Sequence, residues 1–149
     1  MLRFDIHLHA RPAGLSPGET LAIDGRSLPT LDVPISARGQ TFPITFEEVG
    51  ERLEALPRMF FEPDGSFVWV SPQGPDDWQV DGVLYDRGGA VLFAELKGRC
   101  PAEHFDRLLA AFGWPATAVM MQLTRQAVFV DEATFREWAT SVSSEKRTV

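Results

Sequence analysis

DGVLYDRGGAVLFAELK, residues 81–97, is the stretch that decides the fold, because two apolar runs flank an Arg-Gly-Gly sequence. Gln79–Asp86 and Ala90–Lys97 have the length and the β-branched and aromatic content typical of strands. Arg87-Gly88-Gly89 between them supplies the glycines that a tight hairpin turn needs. The stretch therefore predicts a β-hairpin at the centre of one α+β domain.

Apolar side chains occupy both sets of alternating positions in this hairpin: Val83, Tyr85, Val91 and Phe93 in one set, and Leu84, Leu92, Ala94 and Leu96 in the other. Strands that are buried on both faces belong in the middle of a sheet with helices on each side. A charged side chain at the end of such a strand is costly to bury unless it is paired with another group. We therefore expect the charged ends of the hairpin to form a site.

The register of the hairpin decides which of these charges are neighbours. A three-residue loop pairs Asp86 with Ala90 and places Asp81 opposite Glu95, with Lys97 beside them on the same face. A two-residue loop shifts the pairing by one and puts the two acids on opposite faces. Both glycine-rich loops are compatible with the sequence.

In the first register, Asp81 and Glu95 repel each other unless a positive group lies between them. A hard divalent cation fits, because Mg²⁺ binds through a small number of carboxylate oxygens. Lys97 cannot ligate a metal while it is charged, so it would face an anionic substrate or hold an attacking water. The alternative is a structural ion cluster in which Lys97 itself neutralises both acids.

The rest of the chain predicts further strands and helices around the hairpin. Leu2–His9 alternates like a strand, and residues 10–43, with five prolines, predict turns and short edge strands. Thr45 followed by Glu48 is a capping box that begins a helix. Two more helices are expected near Pro101 and after Asp131, and the remaining strands at Met59–Phe61, Ser66–Val70, Ala118–Leu123 and Ala127–Val130.

Composition indicates a globular protein, with 149 residues, 44% hydrophobic and 23% charged content. No apolar run is long enough to span a bilayer, and the N-terminus lacks the features of a signal peptide, so we expect no membrane association and a cytoplasmic location. Cys100 is the single cysteine, which excludes a disulfide framework. The formal charge of −7 argues against a general nucleic-acid-binding protein and requires a local basic patch or bridging metal ions for any such role.

His7 and His9 would share one face of the first strand, a pattern similar to the opening metal motif of amidohydrolases. Those enzymes need several more ligands on a much larger barrel, whereas this chain has only His104 besides these two. We therefore interpret His7 and His9 as the exposed face of an edge strand.

The order helix, three antiparallel strands, helix, strand, with an acid beginning the second strand and Glu-x-Lys ending the third, resembles the PD-(D/E)XK nuclease superfamily over residues 45–123. The resemblance implies a restriction-endonuclease-like α+β fold, in which a mixed β-sheet with an antiparallel meander is flanked by helices. It implies Asp81 and Glu95 as ligands of Mg²⁺ or Mn²⁺, and Lys97 as the residue that positions water and the scissile phosphate. Many such enzymes add a glutamate from the first helix, and Glu48 is our candidate for that ligand.

Two other acids compete for roles in this site. Glu51 lies on the same predicted helix as Glu48, and Asp64 is a rival for the first acid because it follows a proline. Pro63-Asp64-Gly65 is already a complete turn signature, which ranks Asp64 lower. In this interpretation residues 1–44 form an N-terminal strand and turn-rich extension, 45–123 the nuclease-like core, 124–142 a strand and helix, and 143–149 a polar, frayed tail.

The resulting hypothesis is metal-dependent phosphodiester hydrolysis on a nucleic acid bound through a local site. The alternative is a non-catalytic partner-binding or scaffold protein of a nuclease-like or other α+β fold, often a homodimer. The acidic composition favours this non-catalytic alternative. Carboxylates of Asp81 and Glu95 close together across an open cleft would support the first hypothesis. Carboxylates that lie apart would support the second.

Overall fold

The computed structural model describes residues 1–72 and 77–147, with side chains up to Thr140. The strands are β1 Leu2–Ala10, β2 Ser16–Ile23, β3 Arg26–Asp32, β4 Met59–Phe61, β5 Ser66–Val70, β6 Gln79–Arg87, β7 Ala90–Cys100, β8 Val119–Leu123 and β9 Val128–Asp131. The helices are α1 Phe46–Glu54, α2 Ala102–Ala110, α3 Glu132–Arg147 and a short 3-10 helix, Ile35–Ala37. No helix in the described part of the chain is long and apolar enough to cross a membrane.

The nine strands form one sheet in the order β2-β3-β9-β8-β1-β7-β6-β5-β4. Every strand pairing among the described residues is antiparallel, so the expectation of a mixed sheet is wrong. The reason is the position of β1. Helix α2 returns the chain so that β8 runs parallel to β7, but β1 lies between these two strands and is antiparallel to both. The N-terminal strand is therefore at the centre of the sheet, neither an edge strand nor an extension beside a core.

All three helices pack on one face of the sheet. The apolar side chains of β1 alternate as predicted, and they share one core cluster with the buried faces of the helices: Leu2, Phe4, Ile6 and Leu8 with Val49, Leu53, Phe105, Leu108 and Phe135. A second, small cluster of Val33, Met120 and Phe129 forms on the opposite face beside the 3-10 helix. The fold is thus α+β with a large antiparallel sheet, and most of one sheet face is open.

The prediction that both faces of the hairpin are covered is therefore wrong. Val83 and Phe93 on the open face are half-buried, and Tyr85 is 38% exposed. Rings from neighbouring strands stack on each other there, beginning with Tyr85 and Phe93 at a centroid distance of 4.6 Å. This stacking shields apolar surface without a helix.

The helix boundaries follow from local chemistry. The Thr45 hydroxyl accepts a hydrogen bond from the Glu48 amide at 3.1 Å, and an Asp131 carboxylate oxygen accepts one from the Thr134 amide at 2.7 Å. Both predicted caps are confirmed. Helix α3 continues to Arg147, through most of the predicted frayed tail, and residues 148 and 149 of that tail lie outside the described residues.

Candidate functional site

The hairpin turn has two residues, not three. Gly88 and Gly89 have φ values of 61° and 89°, the conformation that suits the twist of a two-residue hairpin. Asp86 consequently pairs with Val91, but a β-bulge at Leu92 then shifts the register. Beyond the bulge the pairing differs from both predicted registers, because Asp81 lies opposite Lys97 and not opposite Glu95.

The bulge also restores the shared face. Since it adds one residue to a pairing that the turn had already shifted by one, Asp81, Glu95 and Lys97 all project from the open face of the sheet. Asp81 and Glu95 are diagonal neighbours, a relation that separates Cα atoms by roughly 7–8 Å. In the sheet register, Lys97 is the cross-strand neighbour of Asp81 on one side and of Asp5 on the other. The row Asp5–Lys97–Asp81 therefore places the cation between two acids.

The two acids of the predicted metal site have separate partners. A carboxylate oxygen of Asp81 accepts a hydrogen bond from the side-chain amide nitrogen of Gln79 at 2.9 Å. Glu95 accepts one from the Tyr85 hydroxyl at 3.0 Å, and its carboxylate lies 3.9 Å from Nε2 of His7. The bond to Glu95 raises the pKa of Tyr85, because the protonated hydroxyl is the donor.

Glu48 is not brought to Asp81 and Glu95. Helix α1 packs on the covered face of the sheet, where Val49 and Leu53 enter the core, and Glu48 is exposed on that side. Glu51 is exposed on the same helix. Within the described residues, no group of three or more His, Cys, Asp or Glu side chains is arranged to hold a metal ion. The Mg²⁺ or Mn²⁺ site stays a prediction.

Asp64 is explained by its turn. Its carboxylate accepts hydrogen bonds from the Ser66 amide at 2.9 Å and from the Ser66 hydroxyl at 2.6 Å, and these bonds lower its pKa. Such an arrangement is typical of an Asx turn between two strands. The turn accounts for Asp64 without a role in the predicted site.

An aromatic row continues across the open face beyond Glu95. The Phe93 ring stacks on the His7 ring at 5.0 Å and on the His9 ring at 5.4 Å, and the His9 and Phe129 rings make a T-shaped contact at 5.5 Å. Burial and the neighbouring His7 lower the pKa of His9 to about 4. A side-chain hydrogen bond with Gln122 acts in the opposite direction and raises this pKa, but by less. The faces of these rings are largely occupied by each other, which leaves little room for nucleobase stacking on them.

A cavity of about 710 Å³ lies where β1 and β6 begin and β7 ends. Four cationic side chains line it, and we call it the basic cavity: Arg3, Arg58, Lys97 and Arg99. Among the described residues, Asp77 is the one acid in its lining. The sequence alone indicates only that Arg99, Arg107 and Arg125 could supply local positive charge near the hairpin, and ordinary solvated arginines explain them equally well. The cavity is not predicted, because Arg3 lies almost a hundred positions from Arg99 and meets it only through the pairing of β1 with β7.

The cations of the basic cavity are poorly neutralised. Arg3 and Arg99 are direct cross-strand partners, and like charges directly opposite each other are destabilising. Nε of Arg3 is buried without a hydrogen-bond partner, and among the described residues neither Arg3, Arg58 nor Lys97 belongs to an ion pair. Arg99 donates to the neutral backbone carbonyl of Asp77. A bound anion would satisfy these donors.

Comparison with protein-family models, curated proteins and solved structures finds no match to this chain. The functional assignment therefore rests on the chemistry of the basic cavity and of the open face beside it.

Proposed function

We propose that this protein binds a small anionic molecule, carrying a phosphate or carboxylate group, in the basic cavity. The observation that supports this most strongly is the direct pairing of Arg3 with Arg99, two guanidinium groups with no carboxylate partner in the described residues. The chain has a formal charge of −7, so a concentration of positive charge at one point is unexpected from composition. An anion between the two guanidiniums would turn their repulsion into attraction.

The lining suits an organic anion. The planar fork of an arginine matches the geometry of carboxylate and phosphate oxygens, and Lys97 adds a compact point charge. Phe4, Val70 and Trp78 contribute apolar surface to the same cavity. A volume of about 710 Å³ is within the range of small-molecule sites.

Lys97 supplies the basic cavity with a cation that no ion pair neutralises. Although Asp5 and Asp81 are its cross-strand neighbours, Lys97 forms no ion pair among the described residues. Its side chain lines the cavity, where an ammonium group is suited to attract an anion.

The test is calorimetric titration with inorganic phosphate at low salt. We expect saturable binding that weakens as sodium chloride is added, because the contact is ionic. Arg3→Gln and Arg58→Asn should each weaken binding about tenfold or more, the loss expected for a charge-assisted hydrogen bond. Asparagine is chosen for position 58 because its backbone has a φ of 60°, which asparagine tolerates.

Arg52→Ala is the matched control. Arg52 is exposed on α1, on the covered side of the sheet, so the variant removes one positive charge without touching the cavity. Absence of phosphate binding by the wild-type protein, or an equal loss in Arg52→Ala, would overturn the proposal.

Metal-dependent phosphodiester hydrolysis is the second candidate. It is favoured by one observation: Lys97 shares the open face with Asp81 and Glu95 and also lines the basic cavity, where a phosphate would bind. Plasmid cleavage with Mg²⁺ or Mn²⁺ tests it. Glu95→Gln should abolish cleavage and metal affinity but leave phosphate binding intact, whereas the control Glu103→Gln, at an exposed position on α2, should change neither. A wild-type protein that neither cleaves nor binds Mn²⁺ removes this candidate.

A further inference from the structure

We infer that the ligand of the basic cavity is an extended chain of phosphate groups, held across two adjoining cavities at one end of the sheet. This inference rests on the proposed function and specifies its ligand. A second cavity, of about 330 Å³, is also lined by Arg3 and Phe4, so the two cavities meet at the first residues of β1.

Because they share Arg3 and Phe4, the two cavities would together form a trough across the sheet end. The basic cavity reaches Val70 on β5, and the second cavity reaches Leu123 at the end of β8. From β5 to β8 the sheet order contains four strand intervals, β5-β6-β7-β1-β8. At the usual spacing of neighbouring strands this is roughly 19 Å. A single phosphate would contact only one part of such a trough.

Positive charge continues along the trough. Arg26 and Arg125 line the second cavity. Even without Arg26, the described lining of the two cavities holds five cations against three acids: Arg3, Arg58, Lys97, Arg99 and Arg125 against Asp5, Asp24 and Asp77. The guanidinium of Arg26 lies 4.1 Å from the centre of the Trp138 ring, which holds it at the cavity wall. Arg125 is exposed and belongs to no ion pair among the described residues. The described lining is therefore net positive on a chain of charge −7, which is complementary to a linear polyanion.

The experiment compares ligands of increasing length. Wild-type protein is titrated with inorganic phosphate, tripolyphosphate, a longer linear polyphosphate and a short single-stranded oligothymidylate. We expect the affinity for the longer polyphosphate to exceed that for phosphate by at least about tenfold, and to fall more steeply with salt because more ionic contacts form. Polyphosphate and a nucleic-acid backbone share this chemistry. Tighter binding of one of these two probes identifies the source of the phosphate chain.

Two variants separate the ends of the trough. Arg125→Ala should weaken polyphosphate binding about tenfold and leave phosphate binding unchanged, whereas Arg58→Asn should weaken both. Arg52→Ala again controls for the loss of one charge. If phosphate binds but longer chains gain nothing, or if Arg125→Ala has no selective effect, the inference is overturned while the proposed function stands. If no probe binds, both fall.

Discussion

At the scale of the single residue, His9 links protonation to folding. Its imidazole is enclosed between Phe93 and Phe129, and this burial lowers its pKa from 6.5 to about 4. In the unfolded chain His9 binds a proton below about pH 6.5, while in the native state it stays neutral until about pH 4. The unfolded state therefore holds more protons within this window, and the free energy of unfolding falls as the pH falls through it. The loss is at most about 3 kcal/mol, from the size of the pKa difference.

Replacement of His9 by phenylalanine tests this link. His9→Phe keeps a ring in the stack but removes the ionisable group, so its unfolding free energy should fall less than that of the wild-type protein between pH 6.5 and 4. Urea denaturation at a series of pH values measures the difference, and the carboxylates that both proteins share cancel in the comparison. Identical pH dependence in the two proteins would contradict the assignment.

At the scale of the element, β5 and β6 are packed through a glycine. Gly82 lies opposite Phe67, and a Cβ atom at position 82 would lie within 2.1 Å of the Phe67 ring. The ring is 2% exposed, so it has no free space to occupy instead. We expect Gly82→Ala to lower the free energy of unfolding by about 1–3 kcal/mol, the cost of overpacking.

A double-mutant cycle checks the cause of that loss. Phe67→Leu removes the atoms that the new methyl group would meet, so the effect of Gly82→Ala should be smaller in the Phe67→Leu background. Urea denaturation of the four proteins provides the coupling energy. Additive effects would show that Phe67 is not the reason for the glycine.

At the scale of the whole molecule, Cys100 reports on opening of the sheet. Its side chain is 0% exposed at the end of β7, a strand held between β1 and β6, and burial raises the pKa of its thiol to about 12. Since the thiolate is the reactive form, we expect iodoacetamide to label Cys100 very slowly at neutral pH. Labelling should become rapid across the urea unfolding transition. Mass spectrometry measures it, with Cys100→Ala as the unlabelled control, and labelling of the folded protein at the rate of a free thiol would contradict this placement.

Local signals in the sequence determined much of the secondary structure. The caps at Thr45 and Asp131, the turn at Pro63-Asp64-Gly65 and the alternation of Leu2–His9 are all confirmed. Each depends on residues only a few positions apart, whose hydrogen bonds and side-chain directions are set by the local backbone. The same signals placed Asp81, Glu95 and Lys97 on one face, although through a register that proved wrong.

Only the tertiary structure decided how these elements meet. Because of the bulge at Leu92, Lys97 lies opposite Asp81. Because β1 lies between β7 and β8, the sheet is antiparallel and not mixed, and Arg3 lies beside Arg99. Pairing between distant segments is chosen by the packing of the whole sheet against its helices, and one extra residue changes every pair beyond it. The sequence by itself thus determined the strands, helices and caps, while the basic cavity exists because the first strand and the seventh became neighbours.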